Sequence, residues 1–393
     1  MVNLRRAHLL YLVAVLFSVL LALVPARSIL AQNNSGNSGN SADINTPIDV
    51  AIAGPMVGTS FAIGIQFRTG VHAAIQHLTE GTLLGRPIRI TEYNDGCSRE
   101  IAEKLALDLV QSPPSVVIGH SCSATTLVTA PIYTEHGVVQ LSPASTAPAI
   151  TEMGISTLFR MIGRDDIQGR LVADRIMTRH AGQKIGLFRF ATEYSVSLHQ
   201  AVTEELARHG IDPTLIVDST ASATSYLDEI MQLMEADIGV LFIVGGGLDS
   251  GVIARQSKQI GATYSIIASD TLVSTVFSDT AGEAGDGIPF MFPSDAASLH
   301  ETDRTRAALA AIRAMGVEPH GFTLLSYAAA EVWLEGVNRA GSTEAEAVAA
   351  AIRQAPMLTV LGTISFDGKG DIQTDYPAYS WFTWREGQRV PVD

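Results

Sequence analysis

Two doubly wound, parallel-sheet α/β lobes, joined by a hinge that the chain crosses more than once, are what this sequence predicts. Three observations predict them. From Pro47 onward short apolar runs alternate with amphipathic helical patterns, and strict βαβα alternation of this kind gives parallel sheets covered by helices on both faces. The alternation pauses twice, so two series of units are present. The chain is 393 residues long, beyond the roughly 250 to 300 residues at which one core stops growing. In such sheets ligands collect at the carboxyl ends of the strands.

The first element is an address rather than a fold. Residues 1–31 carry Arg5, Arg6 and Arg27 and no acid, and residues 9–24 are apolar apart from Ser18. This is the pattern of a secretory signal peptide, with cleavage after Ala26 or Ala31, each a small residue. The apolar run is shorter than the roughly 20 residues that span a bilayer. No cysteine lies beside either cut, so a lipid anchor has no support. Residues 32–46, opening QNNSGNSGNS, have nothing to bury and read as a flexible tether.

Strands are expected at 48–53, 88–92, 116–118, 138–141, 185–190, 215–217, 240–244 and 265–268. Helical faces are legible between them. Ile101, Leu105 and Leu109 recur behind Ser98, a candidate N-cap; Leu198, Val202 and Leu206 precede the stop residue Gly210; Leu227, Ile230, Met231 and Met234 repeat the period. The first pause follows Phe159-Arg160-Met161-Ile162-Gly163, where Arg164-Asp165-Asp166 opens a new helix. The second follows Met291-Phe292-Pro293, after which three helical stretches are expected at 303–315, 322–339 and 343–355. Strand-like 364–367 and 379–384 close the chain around a Gly368-Lys369-Gly370-Asp371 turn. We divide the chain into lobe 1 at 47–164 and 294–371, and lobe 2 at 165–293 and 372–393.

Composition narrows the function. With 26 Lys and Arg against 40 Asp and Glu the formal charge is −14, and no basic run exists to meet nucleic-acid phosphates. The histidines form no H-x-H or HExxH pattern, and no GxxxxGK[ST] loop is present, so neither a metal centre nor a P-loop is indicated. Two motifs imitate enzymes. Gly245-Gly246-Gly247-Leu248-Asp249-Ser250-Gly251, followed by Asp270, resembles a dinucleotide fingerprint, but Ser250 occupies its third glycine position. Gly119-His120-Ser121-Cys122-Ser123 resembles a nucleophile elbow, but ends in Ser rather than Gly. A simpler use of the second motif is a hydroxyl-rich helix start, which binds a carboxylate or merely caps the helix. No catalytic set is assembled and no cofactor is implied, so a binding protein fits better than an enzyme.

Cys97 and Cys122, the only cysteines, each follow a strand-like run. Such strand ends can lie on neighbouring strands, and a bridge closing about 25 residues is worth roughly 3 kcal/mol. Two free buried thiols are the other reading.

Several blocks together resemble a known family. Gly54-Pro55-Met56, Tyr93-Asn94-Asp95-Gly96-Cys97, Ile118-Gly119-His120-Ser121-Cys122-Ser123, Ser142-Pro143-Ala144-Ser145-Thr146-Ala147-Pro148 and Phe366-Asp367-Gly368-Lys369-Gly370-Asp371 look like the periplasmic leucine/isoleucine/valine-binding proteins of ABC transporters, which have the type I periplasmic binding fold. The resemblance implies a disulfide between Cys97 and Cys122. It implies a ligand carboxylate at Ser123, with a backbone group of Ala144 and the hydroxyl of Thr146 beside it. Tyr194 falls in the first loop of the second lobe, and Asp270 takes the place of the family's glutamate, which grips the α-ammonium. A zwitterion entering a partly dry cleft needs both ends met in this way.

Two aromatic positions of the family fall near Ile63 and at Gly247, so the side-chain pocket is expected to be larger or differently shaped. The function implied is capture of an amino acid, branched-chain or a related small amino acid or amide, in the periplasm. Delivery to membrane permease subunits follows, with the receptor working as a monomer. The alternative is a ligand-sensing module that uses the same cleft without transport.

Overall fold

The central strand of the first half, β1 (Ile48–Gly54), reads IDVAIAG and is buried along almost its whole length, as a strand covered on both faces must be. The computed structural model describes residues 44–58, 60–294 and 302–392; the expected signal peptide and residues 32–43 of the tether lie outside them. β1 pairs in parallel with β3 (Arg86–Asn94) and β4 (Val116–Ile118), and β5 (Val139–Ser142) and β6 (Leu158–Arg160) continue the sheet. A two-residue strand, β2 (Thr82–Leu83), hairpins onto β3, giving the order β2-β3-β1-β4-β5-β6. Helices α1 (Phe61–Thr79), α2 (Arg99–Leu109), α3 (Ser123–Glu135) and the short α4 (Ala149–Glu152) connect these strands.

The second half repeats the scheme. β7 (Ile185–Phe190), β8 (Leu215–Ser219), β9 (Val240–Val244), β10 (Ser265–Ala268) and β11 (Phe290–Pro293) run parallel, joined through α5 (Asp165–Arg179), α6 (Glu193–Arg208), α7 (Leu227–Glu235), α8 (Gly247–Gln259) and α9 (Thr275–Ala281). Helices α10 (Asp303–Ala314) and α11 (Thr323–Ala340) then return to pack on α1. After α12 (Ala345–Gln354), the strands β12 (Met357–Thr359), β13 (Gly362–Phe366) and β14 (Ile372–Thr374) form a small antiparallel sheet. The last two strands, β15 (Tyr379–Arg385) and β16 (Gln388–Pro391), join the second sheet antiparallel beside β11, completing the order β16-β15-β11-β10-β9-β7-β8.

All eight expected strands are present, four with identical bounds. Two helix faces differ from expectation. On α2 the buried residues are Ala102, Ala106 and Leu109, while Ile101 is 48% exposed. The small alanines let α2 approach α3, which a row of larger side chains would prevent. On α7 the buried pair is Ile230 and Leu233, joined by Tyr226 in a core with Phe188 and Phe190, and Leu227, Met231 and Met234 are left at the surface. Packing against an aromatic floor decided that face, not the density of apolar residues.

The crossings between the halves are tied by a buried ion network. Arg160, fully buried at the end of β6, holds Asp371 through Nε at 2.7 Å and donates to the Ala147 carbonyl at 2.7 Å. Arg164 reaches the same carboxylate at 3.1 Å. The hydroxyl of Tyr379 donates to the Gly163 carbonyl at 2.9 Å, and a side chain at Gly163 would overlap the tyrosine ring.

Candidate functional site

A cavity of 570 Å³ opens where the carboxyl ends of both sheets meet, and its walls come from both halves of the chain. Ser98, Cys122, Ser123 and Ile63 line it from the first half; Phe190, Tyr194, Gly245 to Gly247 and Thr271 line it from the second.

The first wall is braced by a disulfide and carries Arg99 and Glu100 beside its hydroxyl and apolar residues. Cys97 and Cys122 are joined by a disulfide with Cα atoms 5.5 Å apart, and both residues face the cavity. The strands that carry them are not neighbours: β1 lies between β3 and β4, so the bridge passes over its end. Ser98 caps α2 by accepting from the Ile101 N–H. α3 begins at Ser123, whose hydroxyl accepts from the Ala147 N–H at 3.3 Å. The first N–H groups of a helix have no partner within it, so the start of α3 presents donors to the cavity. Ala144 and Thr146 lie in the following loop and are not on the cavity wall. Thr146 is buried with its hydroxyl unpartnered.

His120 of the elbow-like motif is wholly buried. Its Nδ1 pairs with Asp95 at 2.6 Å and its Nε2 with the Tyr133 hydroxyl at 3.1 Å. Both ring nitrogens are thus occupied, and neither contacts Ser121 or Ser123. Among the described residues, no group of His, Cys, Asp and Glu is arranged to hold a metal ion.

The second wall carries acids. The Tyr194 hydroxyl, on the cavity surface, donates to Asp270 Oδ1, and Gln168 Nε2 donates to Oδ2 at 3.3 Å. Asp270 is only 2% exposed and lies behind Tyr194 rather than on the wall itself. Burial pushes its carboxyl up to about 6, against the pull of the Tyr194 and Gln168 hydrogen bonds. Burial likewise lifts the Tyr194 hydroxyl well above its ordinary range, helped by the Asp270 charge.

Sequence reasoning missed Asp165. It begins α5 at the crossing between the halves, is fully buried, and neither carboxylate oxygen has a hydrogen-bond partner. Its backbone N–H donates to the Thr146 carbonyl at 3.0 Å. Burial pushes its carboxyl up to about 7; the nearby Ser197 and Thr146 hydroxyls and Arg160 oppose this, and Asp270 adds to it. The signal was periodic: Asp165 and Gln168 stand on the same buried face as Val172, Ala173 and Ile176, and a polar residue at a core position of a helix needs a reason.

Of the five residues named from the sequence, Ser123 and Tyr194 meet at the cavity. Asp270 reaches it through Tyr194, and Ala144 and Thr146 stand behind the first wall. Ile63 and Gly247 both line the cavity. Gly245 is explained by packing, since a side chain there would overlap the Phe190 ring.

Residues 47–385 match the model of a family described as periplasmic binding protein. An amino acid binding protein of Pseudomonas aeruginosa is 28% identical over 360 residues, covering 90% of this chain and 96% of the relative. Leu/Ile/Val-binding protein homolog 1 of Brucella abortus is 31% identical over 345 residues, covering 86% of this chain and 90% of the relative. A leucine-binding protein from Thermotoga maritima has the same fold at a TM-score of 0.80 and 23% identity, over 88% of this chain and 98% of that one. So does an ABC-transporter solute-binding protein from R. palustris in complex with benzoate, at a TM-score of 0.78 and 18% identity, over 88% of this chain and 96% of that one.

Proposed function

We propose that this chain, which belongs to the periplasmic binding protein family, is the substrate-binding protein of an ABC importer and captures an amino acid between its two lobes. One observation carries the reading: a single cavity takes Ser123 from one half and Tyr194, backed by Asp270, from the other. The names of the amino acid binding relatives support it.

In this reading the start of α3, with the Ser123 hydroxyl, receives the ligand carboxylate, and the Ala144 and Thr146 loop supports that end. The ligand ammonium exchanges with the Tyr194 hydroxyl as the donor to Asp270, which keeps the buried acid paired. Because the ligand touches both halves, it favours the closed arrangement, and hinge closure is a shift of population. The signal-like residues 1–31 direct the protein to the periplasm, where it works as a monomer and hands its ligand to permease subunits.

A thermal-shift screen of the purified mature protein against amino acids, small amides, urea and aromatic acids tests this. Amino acids should raise the melting temperature with concentration, and Asp270→Ala should abolish that shift. A shift with aromatic acids and none with any amino acid would overturn the reading.

A further inference from the structure

The cavity extends well past the place where an α-amino acid headgroup would sit. In the second sheet the strands run β10, β9, β7, β8, about 4.8 Å apart. Asp270 follows β10, beside the crossings. The loop after β8, at Ala221 and Ser222, lies at the other end of the row and also lines the cavity. The turn after β9 forms the floor between them, and it has no side chains at Gly245, Gly246 and Gly247. Ile63, Val273, Val276 and Phe322 supply apolar walls.

At the outer end stands an acid with one free oxygen. Asp249, in the first turn of α8, is 6% exposed and lines the cavity. Its Oδ1 accepts from the Ser222 N–H at 2.7 Å and from the Tyr226 hydroxyl at 2.5 Å. Its Oδ2 makes no hydrogen bond with the described residues and faces Gly246, where a Cβ would stand 3.6 Å away. The glycine leaves that oxygen open. The charged residues of the lining are Arg99, Glu100, Glu193 and Asp249, so three acids face one base.

We infer that the outer end of the cavity is a subsite for the cationic end of a long amino-acid side chain, a guanidinium or an ammonium, with Asp249 Oδ2 as its acceptor. The inference rests on the amino-acid reading above and deepens it. A buried carboxylate with an unpaired oxygen gains a charge-assisted hydrogen bond from such a group. The methylenes of the side chain lie over the glycine floor between the apolar walls. A branched aliphatic side chain ends short of Asp249 and leaves it unanswered.

The test is calorimetric titration of the mature protein with L-arginine, L-lysine and L-leucine, repeated for Asp249→Asn and Gly246→Leu. Asparagine keeps an oxygen for Ser222 and Tyr226 and removes the charge. Gly246 has an extended backbone, φ −65° and ψ 159°, open to any residue, so leucine there narrows the floor without backbone strain. Arginine or lysine should bind, and Asp249→Asn should lower their affinity relative to leucine by at least tenfold. Gly246→Leu should penalise them in the same sense. If leucine binds and the cationic amino acids do not, the subsite is wrong while the amino-acid reading stands. If Asp249→Asn weakens all three equally, Asp249 only anchors the loop and the inference fails. If no amino acid binds, both fail.

Discussion

After β4 the chain turns through Gly119-His120-Ser121-Cys122 into α3; after β9 it turns through Gly245-Gly246 into α8. Both turns lead from a buried parallel strand to a helix N-terminus at the same cavity. The first is braced by a disulfide and by the Asp95–His120–Tyr133 chain, and offers a hydroxyl and helix N–H groups. The second is bare glycine with Asp249 one turn in, and Asp270 follows the neighbouring strand. Both helix starts therefore present N–H groups, and the second side adds buried carboxylates, Asp249 on its wall and Asp270 behind Tyr194. A ligand that is acidic at one end and basic at the other is what such a pair of walls can hold without leaving a buried charge unanswered. The difference also teaches where the tension lies. The donor wall keeps free N–H groups at the start of α3, whereas the second side buries Asp270 with only neutral hydrogen-bond partners and Asp165 with none.

That tension gives the largest effect we expect. Asp165 and Asp270, pushed up to about 7 and about 6 from 3.8, bind protons more tightly folded than unfolded. Between pH 4 and 7 the folded chain thus holds the extra protons, and the free energy of unfolding falls as pH rises through that window. The groups that bear on Asp165 are Arg160 at the end of β6, Asp270 after β10, Tyr194 on α6 and Tyr379 on β15. His199, pushed down to about 4 by burial, has the opposite slope, gaining stability from pH 4 to 6.5. Asp165→Asn isolates the first contribution. Urea unfolding at pH 5 and pH 8 should show the variant gaining on the parent by a few kcal/mol at the higher pH, because each tenfold change in proton affinity is worth about 1.4 kcal/mol. An equal difference at both pH values would mean that Asp165 is not a buried acid short of a cation.

The donor wall should respond to covalent change instead. Replacing both Cys97 and Cys122 by Ser should lower stability by about 3 kcal/mol, as expected for a closed loop of this length, with little pH dependence. The amino-acid affinity should fall as well, because the loops that carry Ser98 and Ser123 lose their tie across β1. Unchanged affinity in the reduced protein would show that Asp95 and His120 position that wall unaided.

How far these walls were legible in the sequence follows from what each depends on. Strands such as 116–118 and 240–244 are apolar on both faces and announce themselves. β16 and β2, short and partly exposed, carry no such run. Helix α1 carries a buried apolar stripe, Phe67, Val71, Ala74 and Ile75, which helical spacing makes legible although the helices expected from the sequence omit it; what only the structure shows is the close approach of Gly70 to the backbone of α11. At the site, the hydroxyl-rich helix start at Ser123 is readable from local order, whereas Tyr194 is reached only through the family resemblance. The bond from Tyr194 to Asp270 joins residues 76 apart, and Asp165 enters the same group from a helix that opens at a crossing. Those meetings are made by sheet order, which one-dimensional spacing does not encode.

The smallest effect we expect distinguishes the ends of the ligand. The Ser123 hydroxyl accepts from Ala147 N–H and, with ligand present, donates to the carboxylate. Ser123→Ala should weaken amino-acid binding at least about tenfold, since one hydrogen bond to a charged group is worth about 1.5 to 3 kcal/mol, and should lower the melting temperature slightly, since the Ala147 N–H loses its acceptor. To separate the two losses, leucine is compared with leucinol, which keeps the ammonium and replaces the carboxylate with an alcohol. Leucinol should bind weakly to the parent, and Ser123→Ala should cost it far less than tenfold. A loss as large for leucinol as for leucine would place the carboxylate elsewhere, because the damage would then come from the wall itself and not from the charge it was built to meet.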